Sequence, residues 1–260
     1  MPSRPSRLLA ALELRALSEM GTFALSAPAL ATLLPRGASK TVLVLPGFLA
    51  DDPSTMPMRR LLTRLGHDVH GWGLGRNIGP TTEIMEGLVD RLQELDERGG
   101  PIDVIGWSLG GIYGRELARL APQTVRQVIT MGSPIQTSGA HESNARAAFD
   151  ALRHRHAPEF EENRVPSWAR EPIPAWATSI YTRTDGVVHW SQCLNVHRPH
   201  TENIEVRGSH LGLGFNAAAM WIIADRLAQP TDRWQRFRPP GPLRYLFPRG
   251  TGFNIDNVAA

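Results

Sequence analysis

Apolar residues follow two different rhythms along this chain. Short β-branched and leucine-rich runs closed by turn residues occur at Thr41–Leu45 (TVLVL) and at residues 103–107, 127–131, 177–183 and 202–206, and they read as buried strands. Between them, apolar residues recur at helical spacing over residues 56–65, 82–97, 111–120 and 215–227. Strands alternating with helices predict an α/β protein with a mostly parallel central sheet covered by helices on both faces.

Three segments depart from this rhythm. Near the N-terminus, Leu9, Leu12, Ala16, Met20 and Phe23 recur at helical spacing and predict an amphipathic helix packed on the domain. Residues 136–175 carry no convincing strand; part of this interval looks helical and part is proline-rich with two tryptophans, so it is expected to be a small helical lid-like insertion. From Pro230 onward, Pro and Arg dominate an irregular tail expected to wrap the surface. The expected organisation is an N-terminal helical segment at 1–38, a core at 39–229 containing the insertion, and a C-terminal tail at 230–260.

With 260 residues and 42% hydrophobic content, the chain can bury a large core. Its net charge of +3 rests on arginine, since Lys40 is the single lysine, and the arginines are scattered rather than clustered with aromatics. Nucleic acid is therefore not an expected partner. One cysteine, Cys193, precludes an internal disulfide. Arg4 and Arg7 before LLAALELRAL resemble the start of a signal peptide, but Glu13, Arg15 and Glu19 interrupt the apolar run such a peptide requires. No run reaches transmembrane length. The expectation is a cytoplasmic protein, with peripheral contact to a membrane or lipid surface as the alternative role of the N-terminal helix.

The chemistry gathers around IGWSLGG. Gly106-Trp107-Ser108-Leu109-Gly110 matches G-x-S-x-G between an expected strand and an expected helix, the context that gives this motif meaning. A sharp strand-to-helix turn strains the nucleophile's backbone, and side chains at the two glycine positions would strike neighbouring backbone. Serine at its ordinary pKa is a weak nucleophile and needs an imidazole, itself oriented by a carboxylate. Asp185 lies just beyond one expected strand, and His210 follows the last one. Oxyanion donors are expected from the backbone N–H groups of Leu109 and of Phe48, in the loop LPGFLADD. Trp107, Phe149, Phe160, Trp168 and Trp176 are candidates to line a substrate pocket, although apolar residues of an insertion more often only attach it to the body.

Other residues receive plainer readings. His189 would share a loop with the acid, and His197 and His200 are expected to be solvated. His141, His154 and His156 are expected at the surface, because histidines two apart on a helix diverge and suit no metal. Asp51 and Asp52 are expected in turn or capping roles, and Asp103 in a structural role at the sheet end opposite the chemistry. The glycines of residues 71–79 lack dinucleotide-loop spacing and a phosphate-binding lysine, so this loop is expected beneath the active-site rim.

Together these residues resemble the α/β-hydrolase superfamily, in particular its bacterial lipases and esterases, over residues 41–227. VLPGFLADD is similar to the oxyanion loop, IGWSLGGIYGRELA to the elbow and its helix, TRTDGVV to the acid loop and GSHLGLGFN to the histidine loop. Pro46 departs from the histidine common in the first of these. The resemblance implies Ser108, Asp185 and His210 as a triad acting on a small-molecule or lipid ester through an acyl-enzyme, with no cofactor and no metal. Acyl transfer to an alcohol or amine is the rival activity, and a non-catalytic binding module on the same fold is the third reading. The acyl and alcohol groups and the oligomeric state are not specified by these motifs.

Overall fold

Val42 and Val44 bury on one face of the central sheet while Leu43 and Leu45 bury on the other, so the first strand, β1 (Thr41–Leu45), is covered on both sides. The computed structural model describes residues 4–136, 143–158 and 172–248. Five further strands join β1: β2 (Asp68–Gly71), β3 (Ile102–Trp107), β4 (Val125–Met131), β5 (Trp176–Tyr181) and β6 (Thr201–Glu205). All pairings are parallel, in the order β2-β1-β3-β4-β5-β6.

The helices of the body are α3 (Asp52–Arg64), α4 (Thr82–Asp96), α5 (Leu109–Leu120) and α7 (Ala217–Ala228), after the N-terminal α1 (Arg7–Ala11) and α2 (Ala16–Leu33). A short α6 (Arg146–Ala151) lies in the expected insertion. Phe23, Leu61, Leu62, Ile222 and Ile223 of α2, α3 and α7 pack with Val42, Val44, Ile105 and Ile129 on one face. Leu88, Leu92, Tyr113 and Leu117 of α4 and α5 pack with Leu43, Leu45, Val104 and Val128 on the other. Chain direction across the sheet reverses between β1 and β3, and the helices that follow these strands leave to opposite faces. This opens a crevice at their C-terminal ends, where open α/β sheets bind ligands.

The N-terminal segment differs from the expected single amphipathic helix. A 3-10 turn at Leu12–Arg15 separates α1 from α2 and shifts the helical phase. Ala16 and Phe23 are buried as their spacing implied, and Leu30 is buried as well, whereas Leu12 and Met20 are 42% and 44% exposed. Glu13 is buried instead, and Leu8, Leu14, Leu17, Leu25 and Leu33 face outward. Among the described residues no helix is long and apolar enough to cross a membrane.

In the tail, Phe237 and Phe247 are buried against each other, and the Phe237 N–H donates to Glu202 at 3.0 Å. Residues 137–142 and 159–171 of the expected insertion, including Phe160, Trp168 and His141, lie outside the described residues.

Candidate active site

Ser108 stands between β3 and α5 with φ 52° and ψ −119°, a conformation that costs a non-glycine residue about 1–3 kcal/mol. The flanking glycines have the steric reason expected of them. A Cβ on Gly106 would lie 2.3 Å from Gly111 Cα, and one on Gly110 would lie 2.5 Å from Leu45 O. The Ser108 N–H donates to Met131 O at 2.8 Å, which fixes the elbow to β4.

Asp185 and His210 come together at the ends of β5 and β6. His210 Nδ1 lies 2.7 Å from Asp185 Oδ2, and both residues are buried. Asp185 Oδ1 accepts from the N–H groups of Val187 (2.8 Å) and Val188 (2.7 Å), leaving the other oxygen for the ring. The imidazole covers Gly132, where a Cβ would lie 2.9 Å from Nδ1, and Gly132 directly follows the Met131 carbonyl that holds Ser108. Among the described residues no hydrogen bond joins the Ser108 hydroxyl to this ring. Such contacts often tighten only when substrate arrives. Burial by itself would lower the His210 pKa, but the Asp185 charge and hydrogen bond, with the Glu13 charge, raise it above its ordinary value.

The loop after β1 borders the serine. A Cβ on Gly47 would lie 3.3 Å from Ser108 Cβ, which places the neighbouring Phe48 at the elbow. Neither the Phe48 nor the Leu109 N–H has an acceptor among the described residues. Leu109 opens α5, where N–H groups lack intrahelical partners. Asn77, fully buried, buttresses the Phe48 loop from the 71–79 segment. Its Nδ2 donates to Pro46 O (2.9 Å), its backbone O accepts from Leu49 N (2.7 Å), and its N–H donates to Ala50 O (2.8 Å). Sequence reading placed this segment near the site but did not single out Asn77, which has no local signature.

The pocket candidates separate. Phe149 of α6 packs on Phe48, with ring centroids 5.3 Å apart, and so reaches the site rim. Trp107 turns instead into the core: its Nε1 donates to His210 O at 3.1 Å and its ring meets Phe215 edge-on. Trp176 begins β5, beside Gln127 and at the end of the sheet opposite Asp185, where Arg126 stacks on it at 5.2 Å. Neither tryptophan is placed as a pocket wall, because strand alternation and strand direction carry their rings away from the crevice. Phe160 and Trp168 lie outside the described residues.

The remaining histidines and acids mostly take modest places. His189 caps the 3-10 turn Trp190–Cys193, with Nδ1 2.9 Å from Ser191 Oγ, while His197 and His200 are exposed. His156, expected at the surface, is in fact buried: its ring packs on Phe149 at 4.6 Å and its Nε2 lies 3.1 Å from Ile78 O. Its aromatic body fills the space beside Gly79, which an exposed position could not offer. Among the described residues no group of three or more His, Cys, Asp or Glu side chains is placed to hold a metal ion. Asp52 accepts from Trp72 N and Gly73 N, and Asp103 pairs with Arg126 at the far end of the sheet.

No family model and no curated protein matches the sequence. The fold itself is well represented among solved structures. An α/β superfamily hydrolase from Oenococcus oeni superposes with a TM-score of 0.50 at 14% identity, covering 74% of this chain and 94% of that one. A pyrethroid hydrolase also superposes at 0.50 and 14% identity, covering 75% of this chain and all of the other. The chain has the α/β-hydrolase fold. At these identities the likeness concerns architecture, and the chemistry has to be argued from this chain's own residues.

Proposed function

We propose that the protein is a serine hydrolase of carboxylic esters, an esterase or lipase working through Ser108, His210 and Asp185. The observation that carries this reading is the buried Asp185–His210 pair beside the strained elbow of Ser108. In the proposed reaction the Ser108 hydroxyl attacks the ester carbonyl carbon as its proton passes to His210 Nε2, and Asp185 stabilises the resulting imidazolium. The tetrahedral oxyanion is held by the Phe48 and Leu109 N–H groups; each such donor typically contributes about 3 kcal/mol. Collapse breaks the bond to the alcohol oxygen, which leaves with the proton from His210. Water, deprotonated by the same ring, then attacks the acyl-serine and releases the acid.

The reading requires neither metal nor cofactor. The exposure of Leu8, Leu17, Leu25 and Leu33 on α1 and α2 is what supports a lipid ester as a substrate, since outward leucines can enter a lipid surface. Acyl transfer to an alcohol would use the same acyl-serine and differ only in the acceptor.

The test combines a fluorophosphonate probe with hydrolysis of p-nitrophenyl esters of increasing chain length and of emulsified triglyceride. Ser108→Ala is expected to fold, to lose labelling and to lose turnover. Undiminished ester hydrolysis by this variant would remove the assignment. Ester product formed preferentially with a competing alcohol would favour acyl transfer, and a correctly folded protein inert to probe and esters would favour a binding module.

A further inference from the structure

The N-terminal segment precedes residues 41–227, whose motifs carry the resemblance to hydrolases, yet it reaches the Asp185–His210 pair. Glu13 Oε1 accepts the N–H of Gly186 at 2.7 Å and that of His210 at 3.0 Å. Its Oε2 accepts the N–H of Leu211 at 2.9 Å. One side chain thus binds the residue that follows Asp185, His210 itself, and the residue after His210. Nearby, Arg15 donates to Thr184 O (2.8 Å), Thr184 Oγ1 (3.0 Å) and Gly208 O (2.7 Å), joining the same two loops. Glu19 accepts from Ser209 N (3.0 Å) and Ser209 Oγ (2.6 Å), and pairs with Arg15 at 3.5 Å. The chain at Gly186 presses so closely on α1 that a Cβ there would lie 2.3 Å from Leu9 O.

Simple attachment does not require this chemistry. Phe23 and Leu30 already anchor α2 through the apolar core, and a buried carboxylate is costly unless hydrogen bonds offset its lost hydration. Three amides from two loops supply those bonds. We infer that Glu13 is a positioning residue for the proposed triad, fixing the acid and histidine loops relative to each other so that Asp185 and His210 meet in working geometry before substrate binds. The inference rests on the hydrolase reading for its catalytic consequence, but the clamp itself is a property of the fold.

Charge adds to position. Among the described residues, the ionisable groups around the pair are Asp185 on the His210 ring, Glu13 at its backbone, Glu19 and Arg15 at the adjoining Ser209 and Gly208, and, on the Asp185 side, the buried Cys193 thiol. Glu13 favours the imidazolium that forms during acyl transfer. Glutamine preserves the shape but presents an NH2 group to one of the amides, and aspartate preserves the charge but shortens the reach.

The experiment uses full-length protein carrying Glu13→Gln or Glu13→Asp, with p-nitrophenyl butyrate as probe. Glu13→Gln is expected to lower kcat by roughly 10- to 100-fold, the scale of a lost charge-assisted hydrogen bond, with KM changed by less than about threefold. The acid limb of its kcat/KM profile should also move to lower pH. Glu13→Asp should lose kcat while keeping its acid limb nearer that of the wild type. Wild-type kcat and an unmoved acid limb in Glu13→Gln, with only a lower melting temperature, would overturn the clamp in favour of plain attachment. If Glu13→Gln does not fold, wild-type kcat in Glu13→Asp overturns it equally. Should the wild-type protein hydrolyse no ester, the hydrolase reading fails on its own; NMR titration of the His210 ring in wild type and Glu13→Gln still decides the clamp, and an unchanged titration would refute it.

Discussion

Trp107 donates its indole N–H to the backbone carbonyl of His210 across 3.1 Å, so the residue before the elbow serine holds the histidine loop directly. The proposed nucleophile and its proposed base are therefore coupled through the strand that presents the serine. Phe215 extends this contact outward, meeting Trp107 and Phe23 of α2 at centroid distances of 6.1 Å each.

Trp107→Phe keeps most of the apolar contact but leaves a buried carbonyl without its donor. A stability loss of about 1–3 kcal/mol is expected. Steady-state kinetics should show kcat reduced more than KM, because the histidine loop loses a tether rather than a substrate contact. A variant with lower stability but unchanged kcat would make Trp107 a packing residue only.

The raised His210 pKa gives activity and stability opposite pH trends. General-base catalysis needs the neutral ring, so kcat/KM should climb through a pKa above the ordinary histidine value of 6.5. The stability supplied by the imidazolium with Asp185 and Glu13 is fully present below the unfolded-state pKa and is lost as pH rises through the folded-state value. Denaturant titrations across this window, set beside NMR titration of the ring, check both signs.

Asn77→Ala removes the side-chain half of the buttress beneath the Phe48 loop. The Pro46 carbonyl would be left without its donor, at a cost of about 1–3 kcal/mol. Because Phe48 is the proposed oxyanion donor, kcat should fall with little change in KM. Fluorophosphonate labelling should slow in parallel, and unchanged labelling would separate Asn77 from the site.

Asp103→Ala tests the far end of the sheet. Arg126 is almost entirely buried against this carboxylate, and breaking such a pair typically costs about 3–5 kcal/mol. Activity per folded molecule should stay at the wild-type level, since the pair lies at the sheet end away from Ser108. Loss of kcat without loss of stability would contradict its structural role.

The apolar runs and glycine positions made five of the six strands, the principal helices and the elbow legible in the sequence, whereas β2 at Asp68–Gly71 (DVHG), with a single β-branched residue and pairing only with β1, left no apolar run to read. These features depend on short-range physics: strand pleating, helical period and the sterics of one tight turn. Asp185 and His210 could be selected by chain order because each closely follows a strand that ends at the same edge of the sheet. Their contact was a long-range consequence of parallel pairing.

For Trp107, Trp176 and His156, side-chain direction depends on distant neighbours that the local sequence does not record. Trp107 is one of the pocket candidates, but alternation along β3 turns it under the histidine loop. His156 is expected at the surface beside a diverging His154, yet Phe149 and the Ile78 carbonyl give it a buried seat.

Glu13 marks the boundary most clearly. By itself the sequence determined an α/β chain with a glycine-flanked serine and an acid and histidine in serviceable order. It showed Glu13 only as a charge that interrupts an apolar helix, because nothing local to residues 12–15 records the amides waiting at 186, 210 and 211. Only tertiary structure decided that this charge faces inward, since backbone N–H groups are common to nearly every residue and their convergence exists only after the two loops and the N-terminal turn have folded together.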